Sequence, residues 1–318
     1  MDTDSIPDFP VIVLFDEAKA SERGSREWDT LSKRVREAGE NWGCFEVVYH
    51  ELPAQLRSEA FSALKPLFEL PPETKAKNNN PKPYHAYAIV GPYEGFGIED
   101  ASNMESVQHF SELMWLSRGN IQFCQTITAL VKHVEKLISI LETMIMDSYG
   151  LVDQKFCECS SLLRVMTYST QPTGDEFPIQ LHAHTDKPLL TILCEDQVSG
   201  LEVLSKEGTW IPVSLSSNSF FFLVGDPLMA WSNGRLHAVK HRVVLKGGKE
   251  RLSWCVFAVP KEGETIKTPE ELVDEEHPLV FKEFDYNAFL NFSMSKEAQV
   301  IDSALQVYAH AGLTTLKY

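Results

Sequence analysis

The sequence predicts a mixed α+β protein: a double-stranded β-helix, or jelly roll, flanked by N- and C-terminal helices. Three observations predict it. Apolar residues recur at helical spacing through most of the first 150 residues. From about residue 160 the chain breaks into short apolar runs separated by turn residues, the pattern of an antiparallel sandwich or barrel. Beyond residue 262 helical spacing returns. The expected organisation is a mainly helical region over residues 1–158, a roll over 159–262 and a helical segment over 263–318. No linker, internal repeat or low-complexity stretch separates them, so the helices should pack on the roll.

Each element has a local reason. An opening strand is expected at Val11–Phe15, then a helix across residues 22–40, where Trp28, Leu31, Val35 and Ala38 fall at helical spacing. A strand follows at Cys44–Tyr49, then a helix from Pro53 to Leu64 that stops ahead of Pro66, because proline cannot continue it. Residues 78–112, rich in Asn, Pro, Gly and Tyr, read as a long irregular loop, and such a loop in a compact body is functional or mobile. From Asn120 to Tyr149 runs a long helix. Its apolar stripe, from Ile121 through Leu130 and Leu137 to Ile145, needs a broad apolar partner such as a sheet face. The strands of the roll are expected at Leu162–Tyr168, Leu189–Cys194, Leu201–Leu204, Trp210–Val213, Phe220–Val224, Met229–Trp231, His241–Leu245 and Arg251–Val259. Helices at Pro269–Asp274, Phe284–Phe292 and Ser295–His310, the last capped by Ser295, complete the chain.

Composition narrows the partners. A chain of 318 residues, 43% hydrophobic and 23% charged, can bury a sizeable core. A net charge of −16 argues against a nucleic-acid backbone or an anionic membrane as partner. No run approaches the roughly 18 apolar residues of a membrane span. The acidic start, Met1-Asp2-Thr3-Asp4-Ser5, lacks the cationic and apolar regions of a signal peptide, so a cytoplasmic location is expected; a monomer is the expected state. Cys44, Cys124, Cys157, Cys159, Cys194 and Cys255 are scattered and read as reduced thiols. Cys157-Glu158-Cys159 has the wrong spacing for a zinc knuckle.

The chemistry concentrates in residues 182–253. In a strand, residues i and i+2 share a face, so His184 and Asp186 should project together. A distant imidazole, His241, would complete a 2-His-1-carboxylate face. That set suits non-haem Fe(II) because it leaves coordination positions open for substrate and dioxygen. Two rivals sit close by. His182 shares the face of His184, but a His182/His184 pair gives the carboxylate no purpose. His237 stands four residues before His241, the spacing of a zinc-protease helix, yet His237-Ala238-Val239-Lys240-His241 lacks the Glu that would act as base. His237 is expected in a loop near the mouth of the site. Arg251, in the apolar run Arg251–Phe257, carries a charge that is costly to bury unpaired, so an anionic ligand is its natural partner.

This stretch resembles the catalytic core of the plant 2-oxoglutarate- and Fe(II)-dependent dioxygenases. His184-Thr185-Asp186, His241-Arg242-Val243 and Arg251-Leu252-Ser253 match the family's His-x-Asp, His-Arg-Val and Arg-x-Ser. Gly200-Leu201-Glu202-Val203, Gly225-Asp226, Ser232-Asn233-Gly234 and Phe68-Glu69-Leu70-Pro71 match as well. His182–Lys187 with Asn233–His237 is similar to the branch that modifies glucosinolate side chains and hydroxylates steroidal alkaloids. The chain departs at Met166-Thr167-Tyr168, where the family has Asn-Tyr-Tyr: the last Tyr is kept and the Asn is lost.

The resemblance implies a dioxygenase with Fe(II) on His184, Asp186 and His241. It implies 2-oxoglutarate as co-substrate, held by Arg251, Ser253 and Tyr168, with O2 as oxidant and ascorbate as stimulant. The expected reaction is oxidation, by default hydroxylation, of a small plant metabolite or hormone-like molecule, with release of succinate and CO2. The substrate pocket should be roofed by residues 78–112 and the C-terminal helices, since reactive chemistry needs water excluded. Trp231, Phe292 and Met294 are its expected lining. An oxidase on the same scaffold without 2-oxoglutarate, and a non-catalytic small-molecule binder, are the rival readings.

Overall fold

The computed structural model describes residues 9–14, 22–115, 119–169, 179–216, 218–245, 249–298 and 301–311. The strands, in chain order, are β1 (Val11–Leu14), β2 (Cys44–Tyr49), β3 (Ala88–Val90), β4 (Tyr93–Glu99), β5 (Cys159–Tyr168), β6 (Ile179–His184) and β7 (Leu190–Glu195). Then come β8 (Leu201–Leu204), β9 (Trp210–Pro212), β10 (Ser219–Val224), β11 (His241–Val244), β12 (Arg251–Pro260), β13 (Thr265–Ile266) and β14 (Phe284–Asp285). The helices are α1 (Arg26–Asn41), α2 (Ala54–Leu64), α3 (Pro72–Lys75), α4 (Met104–Met114), α5 (Ile121–Ser148), α6 (Asp226–Trp231), α7 (Tyr286–Ser293) and α8 (Ala304–Ala309).

Two sheets make the roll. The larger runs β1-β2-β10-β7-β12-β5-β4-β3, and the smaller runs β6-β11-β8-β9. Pairing is antiparallel apart from β1 against β2. β7, β10 and β12 are buried at nearly every position, as strands covered on both faces must be, and they read as continuous apolar runs rather than alternating ones. The stripe of α5 packs against α1, α2 and α4 and against β5 and β12. Asn120 caps it by accepting the Phe123 N–H at 3.0 Å. Leu130, Leu137 and Leu141 on that stripe are fully buried, each contributing roughly 1.5–3 kcal/mol. Ile121, expected on the stripe, is 65% exposed at the first turn.

Several elements depart from what the sequence predicts. Met229–Trp231 is the last turn of α6, not a strand: Pro227 in the first turn supplies a helical φ and needs no donor there. The eighth strand of the roll is instead β6, where Ile179, Leu181 and Ala183 alternate with Gln180, His182 and His184 but the usual faces are reversed at its start, Gln180 being buried and Ile179 exposed. Residues 78–112 hold the β3–β4 hairpin and the start of α4 rather than one loop. Gly95 and Gly97 weaken the strand signal there, and the reason for Gly97 is close packing: a Cβ would lie 2.4 Å from the Tyr84 carbonyl. Finally, Ser295 caps only a short turn, and α8 starts at Ala304 with Ser303 as its cap. Pro269–Asp274 likewise holds only a 3-10 turn at Glu270–Leu272. The large sheet takes β1 to β4 from the N-terminal region, so it runs across the division expected at residue 158.

Candidate active site

The β6–β11 pairing sets His184 opposite His241, with ring centroids 4.3 Å apart. β6 ends at His184, so Asp186 joins the pair by a turn of the chain and not by strand alternation. That turn is pinned. Lys187 Nζ donates to the Thr185 carbonyl at 2.9 Å and to the Asp226 carboxylate at 2.8 Å, and the Asp226 N–H donates to the Asp186 carbonyl at 2.9 Å. Gly225 lets the two segments touch, since a Cβ there would fall 1.8 Å from the Pro188 carbonyl.

The donor atoms converge. Asp186 Oδ1 lies 3.7 Å from His184 Nε2 and 3.6 Å from His241 Nε2, and all three ligand atoms fall within 4.8 Å of one another. Nδ1 of His184 lies 2.8 Å from the His182 carbonyl, which can only accept, so the proton sits on Nδ1 and the Nε2 lone pair is free. His241 repeats this more loosely, Nδ1 to the Val239 carbonyl at 3.4 Å. Thr191 Oγ1 donates to Asp186 Oδ2 at 2.6 Å, which leaves Oδ1 turned to the imidazoles. Two neutral imidazole nitrogens and one carboxylate oxygen, each oriented from behind, fit a divalent iron with open positions.

Desolvation first, and then the neighbouring His241, hold the His184 pKa well below the ordinary imidazole value. An unfolded histidine titrates near 6.5, so below that pH the unfolded chain binds more protons than the folded one, and stability falls as pH falls. The metal-free protein should therefore lose stability between pH 7.5 and 5.5. His184→Gln should lose less, as read from denaturant midpoints at the two pH values. Equal losses would remove His184 from the explanation.

A second cluster lies on β12. Arg251 is fully buried, opposite Tyr168 on β5, while Ser253 stands opposite Glu195 on β7. The guanidinium donates from Nε and Nη2 to Glu195 Oε2 at 3.2 and 3.0 Å and from Nη1 to Ser253 Oγ at 2.9 Å. Its carbon lies 5.2 Å from the centre of the Tyr168 ring. The charge expected to await an external anion thus already has an internal carboxylate. The sequence carried the signal: Glu195 ends the apolar strand Leu190–Glu195 just as Arg251 opens another. Tyr168 Oη donates to Met166 Sδ at 3.7 Å, and Met166 in turn lines the main cavity.

That cavity, about 890 Å³, is walled by His184, Asp186, Tyr93, Arg164 and Phe257, and roofed by side chains from 80–90 and 293–304. Of the three expected lining residues, Met294 is in its wall. Trp231 is buried elsewhere, its ring 4.3 Å from that of Phe156, and Phe292 packs on Tyr308 at 5.2 Å. His182 lines the cavity outside the three-donor cluster. His237 packs against the end of α1, where its N–H donates to the Gly39 carbonyl, and not at the mouth. Arg164, which the sequence reading passed over, is a buried cation inside an apolar strand.

Comparison with known proteins decides the family. Residues 158–260 match the 2OG-Fe(II) oxygenase superfamily, and residues 10–114 match the N-terminal region of non-haem dioxygenases in morphine synthesis. The chain is 39% identical over 321 residues to the probable 2-oxoglutarate-dependent dioxygenase AOP1.2 of Arabidopsis thaliana, covering 97% of this chain and 99% of the relative. The chain belongs to the 2-oxoglutarate/Fe(II)-dependent oxygenases. This dioxygenase takes Fe(II), 2-oxoglutarate and O2, and oxidises a small molecule. Its fold is close to that of the rice dioxygenase for auxin oxidation, with a TM-score of 0.81 and 32% identity over 95% of this chain and 99% of that one. The Arabidopsis thaliana auxin dioxygenase in its binary complex with 2-oxoglutarate gives a TM-score of 0.76 and 30% identity, over 85% and 99% of the two chains. Among the described residues, no helix is long and apolar enough to cross a membrane.

Proposed function

We propose that His184, Asp186 and His241 hold the iron of this dioxygenase, and that Arg251, Ser253 and Tyr168 receive the far carboxylate of 2-oxoglutarate. The observation that carries the reading is the convergence of three oriented donor atoms, two of them from residues in the cavity wall, His184 and Asp186. Bound there, iron supplies activation of dioxygen coupled to decarboxylation of 2-oxoglutarate to succinate and CO2. The chain's residues do the rest. The carbonyls behind His184 and His241 fix the tautomers, Thr191 orients the carboxylate, and the apolar roof excludes water. Hydroxylation of a plant metabolite or hormone-like molecule is the outcome we assign. The likeness to the rice dioxygenase for auxin oxidation supports that class of substrate.

The finer setting follows the same reading: a monomer in the cytoplasm, with neither nucleic acid nor membrane as partner. A net charge of −16 and six free thiols support it. The test is succinate release in the presence of Fe(II), ascorbate and a panel of plant extracts. Succinate that rises with particular compounds only when 2-oxoglutarate is supplied supports the reading. Full-rate substrate oxidation without 2-oxoglutarate contradicts it.

Glu195 gives a sharper test of the co-substrate pocket. Its carboxylate orients Arg251, yet it adds a like charge beside an incoming carboxylate. Glu195→Gln keeps the acceptor oxygen and removes the charge. The 2-oxoglutarate Kd should fall by about tenfold, some 1.4 kcal/mol. A weaker Kd in this variant would mean that orientation outweighs repulsion.

A further inference from the structure

Four cations line the cavity: Lys82, Arg164, Lys187 and Lys240. Lys82 pairs with Glu99, Lys187 with Asp226 and Lys240 with Asp302. Arg164 differs. It is 4% exposed, and no carboxylate among the described residues lies within ion-pair distance of it. Neutral groups hold it instead. Nε and Nη2 donate to Tyr93 Oη at 2.9 and 2.7 Å, and Nη1 donates to the Tyr84 and Ala86 carbonyls at 2.7 and 2.6 Å.

This cradle is built by the fold. Gly97 pairs with Arg164 across β4 and β5, and its missing side chain lets the segment carrying Tyr84 and Ala86 lie against the sheet. Asn78 fastens that segment through the Gly97 carbonyl at 3.1 Å. The geometry uses four of the five guanidinium N–H bonds and leaves one on Nη2. Tyr93 Oη accepts from both Nε and Nη2, so its own proton is free, and among the described residues it donates to nothing. Arg164 and Tyr93 both line the wall that also carries His184 and Asp186. A buried cation without a counter-charge is costly, and here it is presented to a ligand space with two donors on one spot.

We infer that Arg164 and Tyr93 form the anion-recognising end of the substrate site, and that the substrate is a small organic acid with an apolar body. Its carboxylate takes the free Nη2–H and the Tyr93 O–H, a charge-assisted pair. Its body lies against Ala86, Val90, Leu181, Phe257, Met294 and Ile301, all in the same cavity. The inference rests on the iron and 2-oxoglutarate sites proposed above, and it adds a substrate class to them.

The test uses full-length protein loaded with Fe(II) and 2-oxoglutarate under nitrogen, with 3-phenylpropanoic acid, indole-3-acetic acid and their methyl esters as probes. Calorimetric titration should show the acids binding and the esters binding on the order of thirty-fold more weakly, the cost of losing a buried charge pair. Arg164→Gln should weaken the acids by a similar factor and leave the esters unchanged, and Arg164→Lys should recover part. Tyr93→Phe, which leaves the carbonyl ties of Arg164 intact, should cost about five-fold, one hydrogen bond. The 2-oxoglutarate Kd should stay at its wild-type value in all three. Equal binding of acids and esters, or of neither, to wild-type protein that still binds 2-oxoglutarate overturns the substrate class. A loss of 2-oxoglutarate affinity in Arg164→Gln or Tyr93→Phe overturns it differently, by assigning this pair to the co-substrate. Wild-type protein that fails to bind 2-oxoglutarate at all sinks the underlying site reading.

Discussion

Asp186→Ala is expected to abolish iron binding and turnover together. Asp186 is the only anion in the three-donor cluster, and it is 7% exposed, so no other carboxylate of the described cluster can take its place. Without it, two neutral imidazoles offer no charge to a divalent ion, and removing a ligand leaves an incomplete site. His241→Ala should do the same, and so should His184→Ala. Asp186→Asn keeps the shape and the Thr191 contact but not the charge, and should also fail to hold iron. His182→Ala and His237→Ala are the controls: His182 is outside the cluster and His237 is packed on α1, so both should retain metal. Bound iron per chain after desalting is the measurement. Iron kept by Asp186→Ala, or lost by His182→Ala, would place the ligands elsewhere.

The second large effect belongs to Arg251. Arg251→Ala leaves the Glu195 carboxylate buried without a cation, at 5% side-chain exposure. Breaking such a pair from one side costs about 3–5 kcal/mol of stability. Binding suffers separately. Losing the partner of a buried carboxylate should raise the 2-oxoglutarate Kd by roughly thirty-fold or more. Arg251→Lys separates the two effects. An ammonium can still neutralise Glu195, so most of the stability should return, but it cannot serve Glu195, Ser253 and a ligand carboxylate from one planar fork. Denaturation midpoints and calorimetric Kd values on the same samples check both. A lysine variant with wild-type affinity would show that charge alone suffices.

The roll and the three residues whose donor atoms converge were legible because they rest on local rules and motif spacing. Short apolar runs between turn residues exposed β5, β7, β10 and β12, and the His-x-Asp motif marked two of the three converging donors. What stayed hidden depended on contacts distant in sequence. β4 could not be read through Gly95 and Gly97; Gly97 admits the close approach of residues 84–85, and Gly95 makes room for the Tyr93 ring. Asp186 joins the two imidazoles through a turn fixed by Lys187, Asp226 and Gly225, which no alternation rule describes. Glu195 and Arg164 are charges within apolar strands, and that anomaly was visible. Only the fold shows that one pairs with Arg251 and that the other has, among the described residues, no carboxylate within ion-pair distance. Of the three expected substrate-lining residues, Met294 alone is in the wall of the main cavity. Trp231 and Phe292 are apolar and near the right segments, but burial alone does not say which cavity a ring faces.

On the proposed assignment, one 2-oxoglutarate bridges the His184–Asp186–His241 face and the Arg251–Ser253 pair. Calorimetric titration of 2-oxoglutarate under nitrogen, into wild-type, Asp186→Ala and Arg251→Lys proteins with and without Fe(II), tests it directly. The expected result is one 2-oxoglutarate per chain in the wild type, bound tightly only with iron, with affinity lost in Asp186→Ala and weakened in Arg251→Lys. Binding that is equally tight without iron and unchanged in Arg251→Lys would contradict it.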